Sequence, residues 1–139
     1  MITVSEVLTL LFAEFMSISE LEDDTKLTEI QVWSTVGLNF IKEKFNLKNV
    51  AGLTNSREKI SRFRNKMKDI DLQCTDYSGD TPATRQDIFV FFNRSREHEE
   101  HKLQIDMIKV LGYIKKNLNE HGYAVLGNYF NCEGDMAVF

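Results

Sequence analysis

The fold predicted from this sequence depends most on the stretch SREKISRFRNKMK at residues 56–68. This stretch holds six of the 17 Lys and Arg residues of a chain whose net charge is −4. Asn55 with Glu58 can cap a helix at its start. Apolar residues then recur at helical spacing, at Ile60, Phe63, Met67 and Ile70. A cluster of cations in an acidic chain indicates a partner that carries phosphate or acidic groups.

The elements on either side of this stretch complete an α+β pattern. In order, the sequence predicts helices at 4–17, 28–45 and 56–69, a β-hairpin over 71–93, a long helix at 95–120 and a C-terminal β-hairpin over 123–139. Residues 46–54 are expected to form a short loop or single turn. The apolar run at 88–92 is typical of a strand that is covered on both faces. The whole chain, 1–139, is expected to be a single domain.

Three helices followed by a hairpin is the order of a winged helix-turn-helix, in which the third helix enters a DNA groove and the hairpin is the wing. We therefore expect a winged-helix-like DNA-binding or regulatory module. Its phosphate-binding cations would be Arg57, Lys59, Arg62, Arg64, Lys66 and Lys68. Ser61 and Asn65 lie on the outward face of this predicted helix, with cations on either side, and would be nearest the bases.

Two features weigh against this interpretation. The connection between the second and third helices is about ten residues, longer than the tight turn of the motif. The proposed wing also carries three acids, Asp71, Asp76 and Asp80, with only Arg85 to offset them. The alternative for the same helix is a solvated surface whose cations pair with acidic segments of this chain.

A second hypothesis rests on the acidic run after the first predicted helix. Glu20, Glu22, Asp23 and Asp24 form a surface that suits a basic partner protein. On this hypothesis the chain is a small inhibitor or immunity-type protein that blocks a nuclease or another nucleic-acid-binding enzyme. An enzyme ranks third, because its site would have to be assembled from dispersed residues.

Motifs for catalysis, cofactors and metals are absent from the sequence. It contains no glycine-rich phosphate loop, no dinucleotide fingerprint and no nucleophile elbow. His98 and His101 are three residues apart, whereas the zinc-protease pattern needs a spacing of four, and two ligands do not make a site. We therefore predict no catalytic residue, no cofactor and no metal.

The remaining composition favours a cytoplasmic protein. Two cysteines are too few for a disulfide framework. Glu6 and Glu14 bracket the N-terminal apolar run, which argues against a signal peptide or a membrane span. The broad apolar face predicted for the helix at 95–120 leaves both a monomer and a homodimer open.

Overall fold

A six-stranded sheet organises the chain in the computed structural model, which describes residues 10, 14, 21–32, 35–78, 85–94, 107–130 and 133–138. The strands are β1 Lys26–Ile30, β2 Asn49–Thr54, β3 Asp71–Cys74, β4 Gln86–Arg94, β5 Leu118–Phe130 and β6 Glu133–Val138. The helices are α1 Thr35–Lys44, α2 Arg57–Phe63 and α3 Met107–Asn117, and a 3₁₀ turn at Arg64–Lys66 extends α2.

The strand order is β3-β2-β1-β4-β5-β6. The first five strands in this order are parallel, and β6 runs antiparallel to β5. Parallel neighbours need a crossover connection, and α1 and α2 supply it between β1 and β2 and between β2 and β3. The sheet grows outward from β1 in both directions, so the direction of winding reverses between β1 and β4.

The core lies on both faces of the sheet. On the face where α1 packs, Leu27, Leu38 and Ile41 belong to one buried cluster. On the other face, Tyr113 and Ile114 of α3 belong to a second. The central strand β4 contributes to both, because Ile88 and Val90 face the first cluster and Phe89 and Phe91 the second. The prediction of a strand covered on both faces is thus confirmed at 88–91.

Gly52 leaves room on β2 for side chains from the segment after β1 and from β3. A Cβ atom built at this position would lie 2.5 Å from Cγ2 of Val32 and 2.9 Å from Cδ2 of Leu72. Any larger side chain would therefore collide with the packed residues of the first cluster.

The winged-helix prediction is wrong. Residues 26–30 and 49–54 are strands, whereas we expected a helix from 28 and a loop at 46–54. β3 and β4 do not form a hairpin, because β2 and β1 lie between them in the sheet. The error has a physical cause: short apolar runs cannot be assigned to helix or strand by periodicity alone, and pairing between distant parallel strands leaves no local turn signal.

Several single elements were predicted correctly. α1 falls inside the helix expected at 28–45, and β6 pairs back on β5 as the C-terminal hairpin predicted. The helix expected at 56–69 ends earlier, with α2 and its 3₁₀ turn. Leu10 and Glu14 are helical, but the rest of the helix predicted at 4–17, and residues 95–106 of the long helix, lie outside the described residues.

Candidate functional site

The carboxyl ends of β1, β2 and β3 define the candidate site. In open α/β sheets, ligands bind outside the carboxyl ends of the strands, at the point where the winding reverses. Here that point lies at β1, which has β2 on one side and β4 on the other. The described residues that follow the three strands are Gln31 after β1, Asn55 after β2 and Tyr77 three residues after β3.

Gln31 stands at the centre of this edge in an uncommon backbone conformation. Its φ is 54°, in the left-handed region, and only 1% of its surface is exposed. A residue other than glycine in that region is disfavoured by about 1–2 kcal/mol. The surrounding contacts must offset this cost for the conformation to persist.

The side chain of Gln31 bridges the ends of β1 and β2. Its Nε2 donates to Oδ1 of Asn55 at 3.0 Å. Its Oε1 accepts from the backbone N–H of Asn55 at 2.8 Å. The same oxygen accepts from the Tyr77 hydroxyl at 2.9 Å, and that hydroxyl accepts from the backbone N–H of Gln31 at 3.1 Å. We call these three residues the Gln31 ring, since Gln31 closes one hydrogen-bonded ring with Asn55 and another with Tyr77.

Tyr77 is the aromatic member of the Gln31 ring and is 4% exposed. The aromatic ring of Tyr77 contacts that of Tyr113 in α3 edge to face, with the ring centroids 5.6 Å apart. Its own backbone has a φ of 61°, and its N–H donates to Oγ1 of Thr75 at 3.0 Å. Burial raises the pKa of the Tyr77 phenol far above its usual range, so the hydroxyl stays protonated and can donate to Gln31.

The end of β2 presents no carboxylate to this edge. Thr54 is buried, and its Oγ1 accepts from the backbone N–H of Ser56. Ser56 in turn caps α2, accepting from the N–H of Lys59 at 3.3 Å. The cap is therefore Ser56 and not the predicted Asn55, whose side chain turns to Gln31. Nucleotide-binding sheets often carry an acid at this place for the ribose hydroxyls.

Asp76 is an exposed carboxylate at the same edge, one residue from Tyr77. Its Oδ1 accepts from the backbone N–H of Ser78 at 2.9 Å. The hydrogen bonds from the Ser78 side chain and backbone hold the pKa of Asp76 below its usual range. It is ionised at neutral pH and can accept hydrogen bonds from a ligand.

Glu29 is a buried carboxylate that the sequence reasoning missed. It is 8% exposed, and in the sheet it stands between Gly52 of β2 and Val90 of β4. It was assigned to a helix, so its place in a central strand was not foreseen. An acid among the apolar residues of a short strand was the available signal, because charged groups are seldom buried without a purpose.

The predicted nucleic-acid residues lie on α2 and on the turns that follow it. Those exposed on α2 and the turns after it are Arg57, Ser61, Arg62, Arg64, Asn65, Lys66 and Lys68. The guanidinium of Arg62 lies 5.1 Å from the centroid of the Phe63 ring. Lys59 differs from the other five cations, because it is buried, with 7% of its surface exposed.

The predicted acidic surface is partly compensated within the chain. Glu22, Asp23 and Asp24 are exposed, and Oδ2 of Asp23 lies 3.0 Å from Nζ of Lys48. Glu20, His98 and His101 lie outside the described residues. Within the described part of the chain, no cluster of three acidic, His or Cys side chains could hold a metal ion, and no helix is long and apolar enough to span a membrane.

Comparison with solved structures gives the class of fold. The plantazolicin methyltransferase BpumL, in complex with a triazolic desmethylPZN analog and SAH, matches with a TM-score of 0.67 and 16% identity, over 89% of this chain and 46% of that one. A ribosomal protein L11 methylase from Lactobacillus delbrueckii subsp. bulgaricus matches at 0.62 and 16%, over 86% and 59%. An S-adenosylmethionine-dependent methyltransferase from Clostridium acetobutylicum matches at 0.64 and 19%, over 86% and 48%.

This protein therefore has the Rossmann-like fold of S-adenosylmethionine-dependent methyltransferases. It spans about half the length of the structures it matches. No protein-family model and no curated protein matches the sequence. The expectations of a winged-helix DNA-binding module, of an inhibitor and of a non-catalytic protein are contradicted by these structural matches.

Proposed function

We propose that this protein takes part in methyl transfer from S-adenosylmethionine, with the cofactor approaching the carboxyl edge of β1, β2 and β3. The observation that carries the proposal is the sheet itself. Its five parallel strands and antiparallel sixth superpose on methyltransferases at TM-scores from 0.61 to 0.67. Because function depends on a site and not on a fold alone, the residues at this edge have to be tested against the cofactor.

As arranged in the structure, the described residues do not fit the cofactor. Close approach of a ligand to the backbone after a first strand favours glycine there, and this chain has Gln31. The Gln31 side chain already accepts hydrogen bonds from the backbone N–H of Asn55 and from the hydroxyl of Tyr77. Asp76 is the exposed acid that remains available beside it.

A direct binding experiment tests the proposal. We expect S-adenosylhomocysteine and S-adenosylmethionine to bind the purified protein in isothermal titration calorimetry and to raise its melting temperature. Asp76→Asn should weaken the binding. The matched control, Asp71→Asn, changes an equally exposed acid at the amino end of β3 and should leave it unchanged. A protein that binds neither compound, even with Gln31 replaced by glycine, would contradict the proposal.

The methyl acceptor, the partners and the location of the protein are separate questions. A basic partner for Glu22, Asp23 and Asp24, and a monomeric or homodimeric state, stay predictions from the sequence. We propose a cytoplasmic location, which the low cysteine count supports. Cys74 is a free, exposed thiol, which is in keeping with a reducing compartment.

A further inference from the structure

The Gln31 ring joins parts of the chain that are far apart in sequence. Gln31 and Asn55 are separated by 24 residues, and Gln31 and Tyr77 by 46. The four hydrogen bonds among them tie the ends of β1 and β2 to the segment after β3. They lie where a sheet of this class receives its ligand, so the ring is both a structural link and an obstruction.

The groups that hydrogen-bond to the Gln31 side chain are of the kind that a nucleoside could hydrogen-bond to. The backbone N–H and side-chain oxygen of Asn55 are a donor and an acceptor side by side. The Tyr77 hydroxyl can both donate and accept. The primary amide of Gln31 pairs with all three in the way that the hydroxyl groups and ring nitrogens of a nucleoside would.

Gln31 is the member of the ring that can leave. Tyr77 is anchored by the edge-to-face contact with Tyr113, which itself packs on Phe89. Asn55 directly follows β2 and precedes the capped start of α2. Within the described part of the chain, by contrast, the Gln31 side chain is held through its hydrogen bonds to Asn55 and Tyr77. Its left-handed backbone has an alternative conformation of lower energy.

We infer that Gln31 is a displaceable latch, whose amide fills the carboxyl edge between β1 and β2 and must swing out before the cofactor binds there. This inference rests on the proposed function. Displacement exposes the donor and acceptor groups of Asn55 and Tyr77 to the incoming nucleoside. The apparent affinity is then reduced by the fraction of molecules in which the latch is closed.

The test compares S-adenosylhomocysteine binding by the wild type and three variants. Gln31→Gly removes the latch and suits the positive φ, so its dissociation constant should be at least tenfold lower. Gln31→Asn tolerates the positive φ, but its amide is one methylene shorter and cannot span Asn55 and Tyr77, so it should bind several-fold tighter. Asn46→Gly is the matched control, because Asn46 also has a positive φ of 51° but is exposed at the end of α1. Its affinity should equal that of the wild type.

Hydrogen exchange at the Asn55 amide gives a second readout that does not depend on activity. Without ligand, this amide should exchange faster in Gln31→Gly than in the wild type, and S-adenosylhomocysteine should slow it again. If the wild type and Gln31→Gly bind equally well, the latch is overturned and the proposed function stands. If no variant binds, the proposed function falls and the latch with it. Should Gln31→Gly fail to fold, Gln31→Asn decides between the same outcomes.

Discussion

The two edges of the parallel sheet differ in openness and in charge. At the carboxyl edge, uncharged hydrogen bonds join Gln31 to Asn55 and to Tyr77, and Asp76 is an exposed acid beside them. The amino edge has an open cavity of about 270 Å³. Its polar lining residues are Lys26, Lys48, Asn49, Asp69, Asp71 and Gln86.

The open cavity therefore lies at the edge opposite to the one where open α/β sheets bind their ligands. The amino edge has its own clasp, in which the Asp87 carboxylate accepts from the backbone N–H of Lys26 at 2.8 Å and from Nδ2 of Asn119 at 2.7 Å. That clasp joins β1, β4 and β5 and is structural. The carboxyl edge is where strand direction brings loop residues around a ligand, and there the corresponding clasp is the Gln31 ring.

The largest difference between the edges should appear when Tyr77 is truncated. Tyr77→Ala removes a buried aromatic ring and leaves the Gln31 amide short of a partner, so we expect a loss of about 3–5 kcal/mol in the free energy of unfolding. Denaturant titration of the purified variant measures this. Tyr77→Phe keeps the ring and should lose about 1–2 kcal/mol. Equal losses in the two variants would mean that packing contributes little at this edge.

Truncation of Asp87 is the corresponding change at the amino edge and should have a smaller effect. Asp87→Ala leaves the N–H of Lys26 and the amide of Asn119 without this acceptor, which should cost about 1–3 kcal/mol. Water in the nearby cavity can replace part of the bonding. Denaturant titration again gives the value. A loss as large as that of Tyr77→Ala would show that the two edges hold the fold equally.

Alkaline pH should affect the carboxyl edge. Burial raises the pKa of Tyr77 above the ordinary value of 10, so above that pH the unfolded chain releases a proton that the folded chain keeps. Stability should therefore fall as the pH rises beyond 10. Burial also raises the pKa of Tyr113, and this effect remains in Tyr77→Phe. The fall should be shallower in that variant; identical slopes would show that Tyr77 contributes nothing to it.

Acid should affect the Asp23–Lys48 pair beside the amino edge, with the smallest effect of all. The hydrogen bond from the Lys48 side chain, together with its charge, lowers the pKa of Asp23 below 3.8. The contribution of Asp23 to the free energy of unfolding is present above its pKa in the unfolded chain. It is lost as the pH falls through its pKa in the folded protein. Lys48→Met should return the pKa of Asp23 toward 3.8 in a carboxyl-carbon NMR titration. Asp76, whose pKa is lowered by Ser78, is the internal reference.

The site could be predicted from sequence only in fragments. A glutamine at the end of a short apolar segment gives no sign that its backbone will be left-handed or that its amide will be buried. Asn55 was predicted as a helix cap, which is the commonest use of such a residue before a helix. Tyr77 was placed in a turn, and its packing on Tyr113 depends on a helix that begins 30 residues later.

Local pattern alone determined the elements whose signals are contained within a few residues. The β4 run is apolar on both faces, α1 keeps a helical period, and β5 turns directly into β6. Only the tertiary structure decided that β1, β2, β3, β4 and β5 are parallel and which strands are neighbours. It also brought Gln31, Asn55 and Tyr77 together. The reason is that parallel pairing joins distant segments through crossovers, so the carboxyl edge does not exist until the strands have assembled.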